Sequence, residues 1–254
     1  FGGGSSVVSG FEPDPDDERV ISLDMERFDR VLEVDTQSRA ARIQAGIYGP
    51  ALERELKQHG LTMRHFPQSF EFSTLGGWIA TRSGGHYATN HTRIDDFVES
   101  ARMLTPSGPW ESRRLPGSGA GPSPDRMVLG SEGIFGVITE AWVRLQKPPE
   151  FRASAGVYFE HYDDAWSAAR EIVQTKLWPA NLRMLDAIEG KNAAGMDGTK
   201  TLLVIGFESS VIPQSESLAA TLKIAGELGG VVDPDEVMDS EITSGGAGRQ
   251  GAVG

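Results

Sequence analysis

Apolar residues follow two rhythms along this chain, alternation over short runs and a three-to-four spacing over longer ones. Alternation over residues 30–35 and 40–45, joined by Thr36-Gln37-Ser38-Arg39, predicts two strands of a meander, and Val20-Ile21-Ser22-Leu23 predicts a short strand before them. Tyr48-Gly49-Pro50 opens a helix to about His59, because proline suits a first turn, Leu52 and Leu56 share a face, and Gly60 stops it. Residues 95–105 read as a strand that Pro106-Ser107-Gly108 turns toward a partner over 110–114. Residues 136–145, rich in Val, Ile, Thr and Trp, read as the last strand of this unit, ended by Pro148-Pro149.

Beyond the prolines the rhythm changes. A strand over 154–159, a helix over 163–176 capped by Asp163, strands over 182–185 and 201–207, and a helix over 215–228 stopped by Gly229-Gly230 follow in order. That order predicts a two-layer α+β sandwich of ferredoxin-like type. The expected organisation is therefore α+β in two domains, residues 1–148 with mixed and antiparallel sheets and helices, and residues 149–254 as a ferredoxin-like cap. Residues 115–125, almost all Gly, Pro and Ser, read as a surface loop without chemistry, and the tail from Ser244 as a frayed end or an interrupted loop.

A length of 254 residues with 39% hydrophobic content supports two modest cores, which agrees with the break at Pro148. A formal charge of −12, from 36 acidic against 24 basic residues, argues against a nonspecific hold on nucleic acid or an anionic membrane. No apolar run approaches the roughly 20 residues that span a bilayer, so the expectation is a soluble, cytoplasmic protein without a transmembrane segment. Cysteine is absent, which excludes disulfides, thiolate metal sites and a cysteine nucleophile. Phe1 is no initiator and its glycine loop lacks a delivering strand, so the chain reads as part of something longer.

Three glycine-hydroxyl segments carry the candidate chemistry. Gly2-Gly3-Gly4-Ser5-Ser6-Val7 can turn consecutive N–H groups into one concavity suited to a phosphate. In the second, Ser73 and Thr74 precede Gly76-Gly77 as if a helix began where a phosphate could sit, although an N-capped buried helix accounts for the same pattern. In the third, Gly130-Ser131-Glu132-Gly133, the carboxylate of Glu132 could accept from ribose hydroxyls or cap a helix. His86 and His91 flank a polar loop with no third ligand at a suitable spacing, so no metal is expected, and His59, His65 and His161 read as incidental. Arg183 alternates away from Leu182 and Met184, as an exposed strand arginine paired with Asp186 or Glu189 or as an anion clamp.

Together, the Gly2–Val7 loop, Pro67-Gln68-Ser69-Phe70-Glu71-Phe72-Ser73-Thr74-Leu75-Gly76-Gly77-Trp78, Thr81-Arg82-Ser83-Gly84 and Gly130-Ser131-Glu132-Gly133 through Val137-Ile138-Thr139-Glu140 resemble the FAD domain of vanillyl-alcohol-oxidase type flavoproteins. Among these FAD-linked oxidases the resemblance is nearest to the alkyldihydroxyacetonephosphate synthase branch, whose arginine motif Leu182-Arg183-Met184-Leu185-Asp186 resembles, and it covers most of residues 1–207. It implies FAD with its pyrophosphate on Gly2, Gly3, Gly4, Ser5, Ser6 and Val7. Gln68, Ser69, Phe70, Glu71, Phe72, Ser73, Thr74, Gly76, Gly77, Thr81, Arg82, Ser83 and Gly84 would lie along the rest of the cofactor, and the backbone of Glu132, Gly133, Ile134, Phe135, Gly136, Val137 and Ile138 on the adenosine and flavin side. Arg183 would face substrate.

The implied reaction exchanges an acyl for an alkyl group on dihydroxyacetone phosphate through a flavin N5 adduct; other family members oxidise 2-hydroxy acids such as D-lactate or glycolate. The expected partners are a small-molecule substrate and a second copy in a homodimer. No histidine or cysteine stands at the usual attachment positions, so FAD is expected to be noncovalent. Gln68 stands where the family often has Asp and His91 where glycine is common, the catalytic acid/base is expected beyond Gly254, and a nucleotide-binding module without catalysis is the alternative of another class.

Overall fold

The computed structural model describes residues 1–13, 16, 19–87, 93–115, 119 and 121–240; His91 and the tail from Ser244 lie outside them. The chain divides into two compact units that part between Pro148 and Pro149.

In the first unit, β1 (Val31–Asp35) and β2 (Ala40–Gln44) form the expected hairpin, followed by α1 (Gly49–Lys57) and α2 (Leu75–Thr81). β3 (Val98–Thr105), β4 (Gly108–Glu111), a short α3 (Asp125–Val128) and β5 (Val137–Arg144) complete it. All pairings are antiparallel, in the order β1-β2-β5-β3-β4, so the last strand enters between β2 and β3. Its buried positions Ile138 and Ala141 break strict alternation because the register against β3 shifts between Arg102 and Met103, where one strand carries an extra residue. Leu52 and Leu56 of α1 and Leu75, Trp78 and Ile79 of α2 are buried in one core with Ile43, Ala101 and Val143. The Glu53 carboxylate accepts from Thr62 Oγ1 at 2.6 Å and from the N–H groups of Met63 at 3.0 Å and Arg64 at 3.2 Å, tying α1 to the turn that follows it.

The second unit contains β6 (Phe151–Phe159), α4 (Tyr162–Gln174), β7 (Asn181–Leu185), α5 (Ala187–Ala194), β8 (Thr201–Ser209), α6 (Ser215–Glu227), β9 (Val231–Val232) and β10 (Met238–Asp239). β6 and β8 pair over nine positions, from Phe151 opposite Ser209 to Phe159 opposite Thr201. Alternation sends Ala155, Val157 and Phe159 with Leu203, Ile205 and Phe207 into a core shared with Ala168 and Ile172 of α4 and Leu218 and Ala225 of α6. The antiparallel order β10-β6-β8-β7, with β9 also on β6, is the ferredoxin-like arrangement, its last strand split in two.

Four local expectations are corrected. Residues 20–23 form no strand; Phe1 binds beside them, its amine donating to the Leu23 carbonyl and its carbonyl accepting from Met25 N–H. The strand predicted from Asp95 begins at Val98, after a 3-10 turn at Ile94–Asp96, and its partner ends at Glu111. The N-cap of α4 is His161, without a side-chain bond, and Asp163 sits in the first turn. Helix α5 was not anticipated: Asp186 caps it by accepting from the N–H groups of Ile188 at 2.9 Å and Glu189 at 2.8 Å, and Gly195 ends it at φ +67°. Among the described residues no helix is long and apolar enough to cross a membrane.

Candidate functional site

A cleft of about 670 Å³ in the first unit is lined by the glycine loop Gly2–Ser6, by Gly10–Pro13 and residues 20–23, by Ser69, Ser73, Thr74 and Gly77 around the start of α2, and by Thr81, Ser83 and Glu132. That volume falls in the range of sites for small molecules and cofactors. Within it the backbone N–H groups of Gly2, Gly3, Gly4, Ser5 and Ser6 donate to no acceptor among the described residues, although four of these five residues are partly buried. A row of five peptide donors without protein acceptors, in residues that line a cleft, has the chemistry to hold an anion.

The glycines of this loop are required by the protein itself before any ligand. A Cβ on Gly3 would stand 1.8 Å from the Phe72 carbonyl oxygen, and one on Gly2 would stand 2.2 Å from Thr74 Oγ1. Gly4 adopts φ +64°, the left-handed region that a glycine enters without cost. The loop is thus seated on residues 72–74, and that contact explains two of its glycines.

The second segment is the N-capped helix that the sequence also offered as the reading of its pattern. Leu75 N–H donates to the Ile47 carbonyl at 3.1 Å, Gly76 N–H to Ala45 at 2.7 Å and Gly77 N–H to the capping Thr74 hydroxyl at 3.3 Å, so the first turn of α2 has spent its donors. The Ser73 hydroxyl donates to the Ser69 carbonyl at 2.7 Å and accepts from Trp78 Nε1 at 2.7 Å. A Cβ on Gly76 would stand 2.7 Å from that of Ala45, so this glycine lets α2 approach the end of β2; Gly77 faces the cleft.

Of the other expected cofactor residues, Val7, Gln68, Glu71, Phe72 and Gly84 are exposed outside the cleft lining, and Phe70 stacks on Trp78 beneath it, 6.1 Å between ring centroids. Arg82 ends α2 in the left-handed region and is committed to Asp95 at 2.9 Å. Glu132 reaches the cleft, but the stretch after it leaves. Gly133 turns at φ +89°, Ile134 and Phe135 are exposed, Gly136 adopts φ +152° with no room for a Cβ beside the Leu104 carbonyl, and Val137 and Ile138 begin β5.

His65, read from the sequence as incidental, is a buried member of the site. Its Nε2 shares a 2.9 Å hydrogen bond with Ser83 Oγ, which lines the cleft, and its ring meets Trp78 and Phe97 edge-on at 5.3 and 5.5 Å. Burial lowers its pKa to about 4, so the ring is neutral near pH 7. Nothing local could have marked it, because Ser83 lies 18 residues away.

A second cavity of about 540 Å³ in the same unit is bordered by Asp95, Glu99, Arg126 and Arg144, which pair with one another and with Arg82 and Arg114 at 2.7 to 3.5 Å. These six charges serve the fold. In the second unit Arg183 is half exposed, and its guanidinium donates to Glu189 at 2.8 Å. Asp186, the other expected partner, is occupied as the cap of α5. No group of three metal-ligating side chains occurs among the described residues, and His91 lies outside them.

Residues 1–112 match the family described as the FAD binding domain, and residues 148–243 match the FAD linked oxidases, C-terminal domain. With both matches in family order along the chain, it belongs to the FAD-linked oxidase family of flavoproteins and carries its FAD binding domain. It is similar to the alkyldihydroxyacetonephosphate synthase of Dictyostelium discoideum, 41% identical over 189 residues, 74% of this chain and 31% of that protein. A solved structure of an alkyldihydroxyacetonephosphate synthase superposes with a TM-score of 0.80 at 32% identity, covering 92% of this chain and 47% of the other. A D-lactate dehydrogenase of Archaeoglobus fulgidus is 28% identical over 240 residues, 91% of this chain and 52% of that protein. The chain spans about a third to a half of the length of these relatives.

Proposed function

We propose that the cleft binds FAD noncovalently, with the pyrophosphate on the peptide N–H groups of Gly2–Ser6. The observation that carries this reading is the row of five unpaired donors in a cleft of cofactor size. Ser69, Thr81, Ser83 and the side-chain-free face of Gly77 would line the remainder, while Phe70, Phe72, Gly76 and His65 hold those walls in place. Residues 1–148 would form the cofactor domain and residues 149–254 the substrate cap, with Arg183 offered to an anionic group of the substrate.

The reaction proposed is that of an alkyldihydroxyacetonephosphate synthase, on the strength of the 41% identity, with a small-molecule substrate and a homodimeric assembly. FAD, when bound, supplies the reversible electron-accepting chemistry; the chain's own residues bind it, orient it and exclude water. A second reading, oxidation of a 2-hydroxy acid, is favoured by the alignment with the D-lactate dehydrogenase, which extends over 91% of this chain.

Anaerobic visible spectra of the FAD-loaded protein separate the two. Lasting bleaching by D-lactate or glycolate supports the oxidation; a flavin unmoved by these acids, with colour that dips and returns during turnover of an acylated dihydroxyacetone phosphate and a fatty alcohol, supports the synthase. Acid precipitation should leave the flavin in the supernatant, and flavin in the pellet would overturn noncovalent binding.

A further inference from the structure

The proposed cofactor cleft has an unusual charge balance. Among the described residues no lysine, arginine or histidine lines it; its charged side chains are two carboxylates, Glu12 and Glu132, and the amine of Phe1 at its edge donates to the Leu23 carbonyl. Neither carboxylate has a hydrogen-bond or ion-pair partner among the described residues. Arg82, the cation closest in the chain to the walls formed by α2, is held by Asp95.

Glu132 is set in place. It adopts φ +50°, a conformation that costs a non-glycine residue on the order of 1 kcal/mol, and its N–H donates to the Ala80 carbonyl at 2.9 Å while Gly130 N–H donates to Ile79, also at 2.9 Å. The loop is therefore stitched to the end of α2 and directs its carboxylate back toward the first glycine loop. A Cβ on Gly10 would stand 3.6 Å from Glu132 Oε2 and 3.9 Å from Ser6 Oγ, so carboxylate and hydroxyl share one wall.

We infer that Glu12 and Glu132 act as an electrostatic brake on cofactor retention: peptide dipoles, with no cationic side chain among the described residues of the lining, hold the diphosphate against two like charges, and FAD binding therefore strengthens as salt screens the cleft. The inference rests on the FAD reading of the cleft. Phosphate sites built on lysine and arginine weaken with salt, because screening removes an attraction; here it removes a repulsion. The net charge of −12 acts in the same direction from farther away, and the two local carboxylates are separable from it by substitution.

The test is an FAD titration of the apoprotein, read by flavin fluorescence, between about 20 mM and about 500 mM NaCl, which takes the screening length from above 20 Å to below 5 Å. The expected result is a Kd that falls at least roughly threefold across that range. Glu132→Gln should tighten binding roughly threefold at low salt, and Glu12→Gln/Glu132→Gln should tighten it further and lose most of the salt dependence. A Kd that rises with salt would overturn the inference, as would weaker binding by Glu132→Gln, which would make that carboxylate an acceptor from ribose. The wild-type salt series needs no variant, so a misfolded mutant cannot mask the answer. Absence of any FAD binding by the wild type would refute the cofactor reading itself, a result distinct from binding with the opposite salt dependence.

Discussion

The two units hold their polar groups in opposite ways. Around the cleft of the first, Ser73, Thr74 and Ser83 are bonded within the protein at 2.7 to 3.3 Å, and backbone rather than side chains is offered to a ligand. In the second, Arg183 stands half exposed on a strand with one ion pair to an equally exposed Glu189. The first arrangement is preorganised and couples binding to folding; the second presents a side chain that folding barely needs.

The largest expected effect tests that coupling. Gly3→Ala should cost the first unit more than about 3 kcal/mol in urea denaturation, because the new carbon meets a backbone carbonyl that has no rotamer with which to yield. If stability is unchanged and FAD binding alone is lost, the glycine serves the ligand and the contrast between the units fails. His65 comes next. Its folded-state pKa of about 4 lies below the unfolded 6.5, so between those values the unfolded chain binds more protons. Stability is therefore full above about pH 6.5 and is lost as pH falls toward 4, by up to about 3 kcal/mol. His65→Phe should flatten that dependence, and denaturant melts at pH 7 and pH 4.5 would measure it.

Gly77→Ala separates binding from folding within the first unit. Its Cβ would meet nothing nearer than Thr74 Oγ1 at 3.4 Å, so Tm should hold or rise while FAD affinity drops about tenfold, equivalent to about 1.4 kcal/mol. Unchanged affinity would move the cofactor away from α2. The smallest structural effect belongs to Arg183→Ala, at most about 1 kcal/mol for an exposed pair, although turnover should be abolished. Wild-type turnover by this variant would remove Arg183 from the proposed substrate site.

Much of this architecture was legible because short-range chemistry specifies it. The hairpin of β1 and β2, helix α1 with Pro50 at its start and Gly60 beyond its end, and the alternation in β6 and β8 are each set within about a dozen residues. Helix α5 has legible signals as well, but of the two ion partners the sequence offers to Arg183 only Glu189 takes that role, and the Asp186 carboxylate belongs to the backbone of Ile188 and Glu189. Val20-Ile21-Ser22-Leu23 has strand composition without strand structure. A strand exists by pairing, and among the described residues only Phe1 is hydrogen-bonded to it, while Ile21 is 93% exposed.

From the sequence alone came the α+β class, the change of rhythm at Pro148-Pro149, the three glycine-hydroxyl segments and their resemblance to FAD-linked flavoproteins, all of which depend on the order of neighbours in the chain. Tertiary structure decided which of those groups remain free to act. It spent the donors at the start of α2 on Ile47, Ala45 and Thr74, left those of Gly2–Ser6 unpaired, and gave the glycines of the first loop a packing role against Phe72 and Thr74. It also brought His65 to Ser83 and Glu132 to the wall beside Ser6. Whether a donor is satisfied, or a charge unpaired, depends on partners far away in sequence, and only the folded chain brings those partners within bonding distance.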